Sequence, residues 1–144
     1  MLERAKKHDV PTYTFTKGEL ESGKLTEILL NLNIDFVVLA GFLLQIPKDL
    51  IKAFPNQMVN IHPALLPKYG GRGMYGDHVH KAVKAAQEKE TGITIHLVNE
   101  NYDEGKIIFQ TSVKIDKTDT PEQIAEKVHI LEHKYYPKVI ESLI

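Results

Sequence analysis

The sequence predicts an α/β domain with a mostly parallel, twisted sheet and helices on both faces. Three observations predict it. Apolar runs of strand length alternate with runs of helical period along the chain, the order expected of strand-helix-strand units. Asp35-Phe36-Val37-Val38-Leu39-Ala40-Gly41 is almost continuously apolar and ends in glycine, as suits a central parallel strand buried on both faces. Met58-Val59-Asn60-Ile61-His62-Pro63 is a shorter apolar run in which Asn60 and His62 alternate onto one side. Pro63 cannot donate to a sheet ladder, so that strand stops there and opens into a loop.

The elements follow in order. Leu2 to His8 suits one or two turns of helix that begin without a cap. Pro11 to Phe15 suits a short strand. Glu19 to Leu32 reads as one helix, with Leu25, Ile28, Leu29 and Leu32 on one face. After the strand ending at Gly41, Pro47 to Phe54 is a short helix with proline near its start. Gln57 to His62 is the next strand. Residues 63 to 76 are loop, broken by Pro67 and by Gly70-Gly71-Arg72-Gly73. Asp77 to Lys89 reads as helix with an apolar edge of Val79, Val83 and Ala86. Thr94 to Val98 and Ile107 to Ile115 alternate as strands. Thr120, Pro121 and Gln123 make a capping box with proline at the first helical position, and Pro137 should end or kink the helix they start.

Composition narrows the function classes. The 144 residues are 42% hydrophobic and 26% charged, an ordinary globular profile, and are read as a single domain over 1–144. A net charge of −1 makes no electrostatic case for nucleic acid or an anionic membrane. No apolar run approaches the roughly 20 residues of a membrane span. The first residues are too polar for the centre of a signal peptide. The absence of cysteine excludes disulfides, thiolate catalysis and cysteine-ligated zinc, and fits a cytoplasmic protein.

The chemistry-bearing residues are Asn60, His62 and Asp103. Open α/β sheets bind ligands beyond the C-terminal ends of their strands, where Asn60 and His62 sit. Asp103 lies in Asn99-Glu100-Asn101-Tyr102-Asp103-Glu104-Gly105, a loop between two further strands. Each alone has a bland reading: a structural histidine, a turn asparagine, a loop-capping carboxylate. Together they form a set that stabilises an oxyanion and moves a proton. Asp77, His78 and His80 invite a metal reading, but two residues on a helix splay His78 and His80 onto different faces, so no metal is expected.

Asn60-Ile61-His62-Pro63-Ala64-Leu65-Leu66-Pro67 resembles the signature of the folate-dependent formyltransferases. Tyr102-Asp103-Glu104-Gly105-Lys106-Ile107-Ile108-Phe109-Gln110 resembles their second signature. His62-Pro63, Lys68-Tyr69 and Gly92-Ile93-Thr94-Ile95-His96 resemble, within that family, the branch that formylates glycinamide ribonucleotide in purine synthesis. The resemblance runs through essentially the whole chain and implies a Rossmann-like formyltransferase fold. It implies that the glycinamide amine attacks the formyl carbon of 10-formyltetrahydrofolate, a co-substrate, with no metal and no covalent enzyme intermediate. Asn60 and His62 would donate to the oxyanion, and Asp103 would hold the ionisation of His62 or organise a water, and assist proton movement. A cationic imidazole beside that carboxylate is favoured by their attraction.

The resemblance further implies that main-chain groups grip the pterin at Leu43, Leu44, Gln45 and Ile46 and at Val98, Asn99, Asn101 and Asp103. Leu44 departs from a family position that usually carries a charged or longer residue, which leaves backbone recognition intact. Glu132 matches the glutamate that binds the ribose hydroxyls, against the plainer reading of an exposed helix carboxylate. Pro63 lies on the ribonucleotide side, and Gly70 to Tyr75 match a mobile loop near the amine substrate.

Relative to the family pattern, the chain opens after the first strands and after the glycine-rich loop that cradles the substrate phosphate. That comparison implies a fold missing its first strands and an open edge along Phe36–Leu39, with either a loss of stability or the pairing or swapping of two copies through that edge. It implies weak or absent ribonucleotide binding as well. Two alternatives stay beside formyl transfer: hydrolysis of formyltetrahydrofolate, and a catalytically incomplete folate-binding fragment.

Overall fold

The structure is a computed structural model and describes residues 2–144. Its elements are α1 (Leu2–Lys7), α2 (Lys17–Glu21), α3 (Lys24–Asn31), β1 (Val37–Leu39), α4 (Lys48–Ala53), β2 (Met58–His62), α5 (Asp77–Ala85), β3 (Glu90–Leu97), β4 (Ile107–Lys114) and α6 (Pro121–Leu143). The four strands form one sheet in the order β1-β2-β3-β4.

Alternation along β2 splits the core between two faces. Val59 and Ile61 join Ile93 and Ile95 of β3 and receive Val128 and Tyr136 of α6. Met58 points the other way, into a cluster with Leu20 of α2, Leu25 of α3, and Leu50 and Phe54 of α4. The α/β class with helices on both faces therefore follows from a strand that is apolar on both sides. The Thr120–Gln123 capping box forms as expected, with the Gln123 amide donating to the Thr120 hydroxyl at 3.2 Å and the Thr120 amide donating to Gln123 Oε1 at 2.9 Å.

Several expectations need correction. The expected mostly parallel sheet is mixed in the described residues: β1 and β2 pair in parallel, whereas β2·β3 and β3·β4 are antiparallel. The connection through α5 returns the chain in the opposite sense. β1 is neither central nor covered on both faces. It has three residues, stands at the edge, and leaves Val38 41% exposed. Pro11 to Phe15 forms no strand, because no neighbour supplies a ladder and its residues stay exposed. The single helix expected over Glu19 to Leu32 is two, broken at Gly23, whose φ of +82° leaves the helical region.

α5 stops at Ala85, short of Lys89, and Gln87 just beyond it turns to a φ of +53°. β3 starts at Glu90, earlier than Thr94. Gly92 lies inside it at a close approach, since a Cβ there would lie 1.9 Å from the Thr111 carbonyl oxygen. α6 runs through Pro137 to Leu143. Val139, Ile140 and Leu143 pack on the core beyond the proline and hold the last turns in place.

Candidate active site

β2 carries Asn60 and His62 to its C-terminal end, and the register with β3 sets their neighbours. Asn60 faces His96 across the sheet, and His62 faces Thr94. Directly opposed residues share a face, so all four side chains lie on one side. Thr94 is structural: its hydroxyl donates to the Ala64 carbonyl at 2.7 Å and accepts from the Leu66 amide at 3.0 Å. It thus pins the start of the loop that follows β2.

Asp103 reaches the same place from the loop between β3 and β4. Two constraints bring it there. Its own φ is +55°, a left-handed conformation that aspartate tolerates better than most residues. Gly105 then passes so close to β3 that a Cβ would lie 1.5 Å from the Leu97 carbonyl oxygen. Oδ2 accepts from the Gly71 amide at 2.9 Å and stands 3.5 Å from His62 Nδ1, while Oδ1 stands 3.5 Å from His96 Nε2.

The hydrogen bonds assign the ring nitrogens. His62 Nε2 lies 2.6 Å from the Tyr69 carbonyl oxygen, which can only accept, so Nε2 carries the proton. Nδ1 is the nitrogen turned to Asp103, at a distance too long for a good hydrogen bond. His96 Nδ1 donates to the Leu97 carbonyl at 2.9 Å, and its Nε2 accepts from Asn60 Nδ2 at 3.3 Å. This arrangement turns the Asn60 amide and leaves its second N–H unspent.

Burial holds the His62 imidazole below the usual histidine value, even though Asp103 and the Tyr69 carbonyl both push it up. The expectation of a cationic imidazole is thereby corrected: desolvation of a ring that is nearly all buried outweighs the carboxylate. Burial alone would raise Asp103, but the flanking imidazoles of His96 and His62 and the Gly71 amide pull it down, for a net shift below the ordinary carboxylate value. Burial raises the Glu132 carboxyl on α6, against the opposing pull of His129 and His133.

These groups open onto one cavity of about 710 Å³, within the range of small-molecule sites. The residues expected to act in catalysis or in ligand binding line it. Asn60, His62 and Pro63 come from the end of β2, and Leu43, Leu44, Gln45 and Ile46 from the turn after β1. Val98, Asn99, Asn101 and Asp103 come from the loop after β3, and Glu132 from α6. Lys48 and Glu100 pair at 3.0 Å and tie the second and third of these stretches together. His96 joins the site beyond the residues the sequence predicts for it, and period-two alternation with Thr94, set by the pairing of β2 and β3, is the signal that places it beside Asn60. Among the described residues, no group of three or more His, Cys, Asp or Glu is placed to hold a metal ion, and no helix is long and apolar enough to cross a membrane.

Comparison with known proteins agrees with this geometry. A profile of the formyl transferase family matches residues 2–140. The chloroplastic phosphoribosylglycinamide formyltransferase of Arabidopsis thaliana is 43% identical over 147 residues, which cover 98% of this chain and 50% of the plant protein. The chain thus spans about half the length of that relative. The phosphoribosylglycinamide formyltransferase of Bacillus subtilis is 35% identical over 150 residues, covering 100% of this chain and 74% of its own. The crystal structure of the enzyme of that name from Bacillus halodurans superposes with a TM-score of 0.87 at 35% identity, over 99% of this chain and 73% of that one. The corresponding structure from Streptococcus pneumoniae gives 0.88 at 34%, over 99% and 79%. With the family profile matched over residues 2–140 and a relative 35% identical over 74% of its own length, the chain belongs to the formyl transferase family.

Proposed function

We propose that this chain transfers a formyl group from 10-formyltetrahydrofolate to the amine of glycinamide ribonucleotide, a step of de novo purine biosynthesis. The observation that carries the reading is the convergence of Asn60, His62 and Asp103 on a cavity also walled by Leu43–Ile46 and Val98–Asn101. Family membership and the names of the relatives support it.

The amine nitrogen attacks the formyl carbon and forms a carbon–nitrogen bond. The carbonyl electrons move onto oxygen, and the free N–H of Asn60 donates to that oxyanion. The proton of the attacking amine passes by way of the Asp103 carboxylate, whose Oδ2 stands 3.5 Å from the unprotonated His62 Nδ1, onto that nitrogen. The Asp103 carboxylate stabilises the imidazolium so formed. The bond from carbon to the folate nitrogen then breaks as that nitrogen takes the proton. Oxyanion donation falls to Asn60 in this account, since the His62 Nε2 proton is committed to Tyr69. Glu132 and Pro63 face the ribonucleotide side, and holding both substrates in attack geometry supplies much of the rate.

The test follows deformylation of a 10-formyl folate with and without glycinamide ribonucleotide. Dependence on the ribonucleotide supports the proposal. Formate release without any amine favours hydrolysis, and binding of folate with no turnover favours a catalytically incomplete unit.

The compartment we propose is the cytoplasm, in keeping with a cysteine-free composition. We also propose that two copies pair along β1, whose outer edge is unpaired in the sheet and whose Val38 is 41% exposed. Light scattering should find a dimer that Val38→Lys dissociates; a monomeric parent defeats this.

A further inference from the structure

The backbone of Tyr69 meets His62 from outside the sheet, and its conformation is unusual. Its φ is +57°, an outlier for a bulky side chain that persists only where the surroundings impose it. That turn aims its carbonyl at His62 Nε2, 2.6 Å away. Two residues on, the Gly71 amide donates to Asp103. A span of three residues therefore contacts both partners of the histidine–carboxylate pair.

What imposes the turn lies at the far end of the side chain. The Tyr69 hydroxyl donates to Glu88 Oε1 at 2.9 Å, just beyond α5, and Lys68 Nζ donates to the same oxygen at 3.0 Å. The ring packs beside Ala64, Val79 and Val83. Gly70 adds a steric limit, since a Cβ there would lie 2.5 Å from Leu66 Cδ2 and 3.3 Å from Asp103 Cβ.

We propose that Tyr69, anchored by Glu88, is a positioning residue that fixes the His62 ring so that Nδ1 faces Asp103. Glu88 touches neither His62 nor Asp103 and acts only through the tyrosine. The inference rests on the reading of His62 as proton acceptor, so its test has a readout that needs no turnover.

In 15N-labelled protein, the His62 ring signals are identified by their loss in His62→Gln. In the parent, Nε2 should be the protonated, hydrogen-bonded nitrogen. Tyr69→Phe keeps the packed ring but loses the hydroxyl, and Glu88→Ala loses the acceptor. Each should move the Nε2 resonance and lower the His62 titration by about half a pH unit, because a carbonyl acceptor favours the protonated ring. Glu88→Gln still offers an oxygen to the hydroxyl and should restore both. In the transfer assay the first two variants should lower kcat about tenfold with KM within about twofold. An unmoved His62 titration in folded Glu88→Ala overturns the proposal, as does an equal shift in Glu88→Gln. A parent that is inactive yet shows the shifts supports the anchor and defeats the formyl-transfer reading alone.

Discussion

Asn60 and His96 oppose each other on β2 and β3, and the histidine takes one of the two amide protons of the asparagine at 3.3 Å. The Leu97 carbonyl holds the other side of that ring. The amide is therefore oriented before any ligand arrives. Removing an oriented oxyanion donor costs about 10²–10³-fold in kcat, so Asn60→Ala should lose that much. His96→Ala leaves the amide in place but free to turn and should lose about tenfold. Steady-state kinetics with the reverse order would count against the assignment.

Asp103→Asn should lower activity and also move the acid limb of the pH–rate profile. The carboxylate pushes His62 up. Without it the ring keeps its unprotonated Nδ1 to lower pH, so the limb shifts downward. A limb shifted upward would exclude His62 as the titrating group.

Stability should fall on mild acidification. Burial lowers both His62 and His80, and for His80 the nearby His129 adds to the effect while Asp77 opposes it. The unfolded chain then binds more protons than the folded one below about pH 6.5. Folding free energy is full above that value and is lost as pH drops through the lower folded values. Asp103, held below its ordinary value, adds a second loss only in more acidic solution. Urea unfolding at stepped pH checks this, and His80→Gln should flatten part of the slope.

Gly105→Ala and Gly71→Ala separate steric from conformational demands. A Cβ on Gly105 would lie 1.5 Å from the Leu97 carbonyl oxygen, whereas one on Gly71 meets nothing within 4 Å. The first should cost about 3 kcal/mol or more. The second, with a φ of +89°, should cost only the left-handed penalty of about 1–2 kcal/mol. Equal losses in denaturant unfolding would mean that the loop after β3 yields.

Pro137→Ala should stabilise the protein. The proline sits inside α6 without an N–H to give the preceding turn. Replacing it removes a cost of about 3 kcal/mol, offset by about 1 kcal/mol of unfolded-state entropy. Calorimetry should show a higher Tm.

Short-range signals in the sequence were reliable where one physical demand acted alone. The Thr120 capping box and the alternation of Met58 to His62 needed no tertiary context, and β2 and the start of α6 match them. Errors arose where packing overrode local preference. Pro137 does not stop a helix whose later residues are held on the core, and β3 begins at Glu90, ahead of the expected Thr94. The extent of Asp35–Gly41 as a strand depended on neighbours that its own residues do not encode. At the site, residue types and spacing point to Asn60, His62 and Asp103, and the family resemblance extends that to the cavity walls. Lys68-Tyr69 enters the sequence reading only as part of a resemblance, because the contact Tyr69 makes with His62 is through a carbonyl, which no side-chain pattern announces. Glu88 escaped notice because it acts at one remove.

The cavity is walled by segments around residues 39–46, 60–76, 96–103 and 129–137. No one of them makes a site, so a ligand that touches all four recognises the chain only when its distant parts are folded together. Binding and folding are then one linked equilibrium. At a hundredfold excess over its Kd, such a ligand adds about 2.7 kcal/mol to the unfolding free energy. Folate analogues can accordingly be ranked by how far each one raises the melting temperature, without waiting for chemistry to occur.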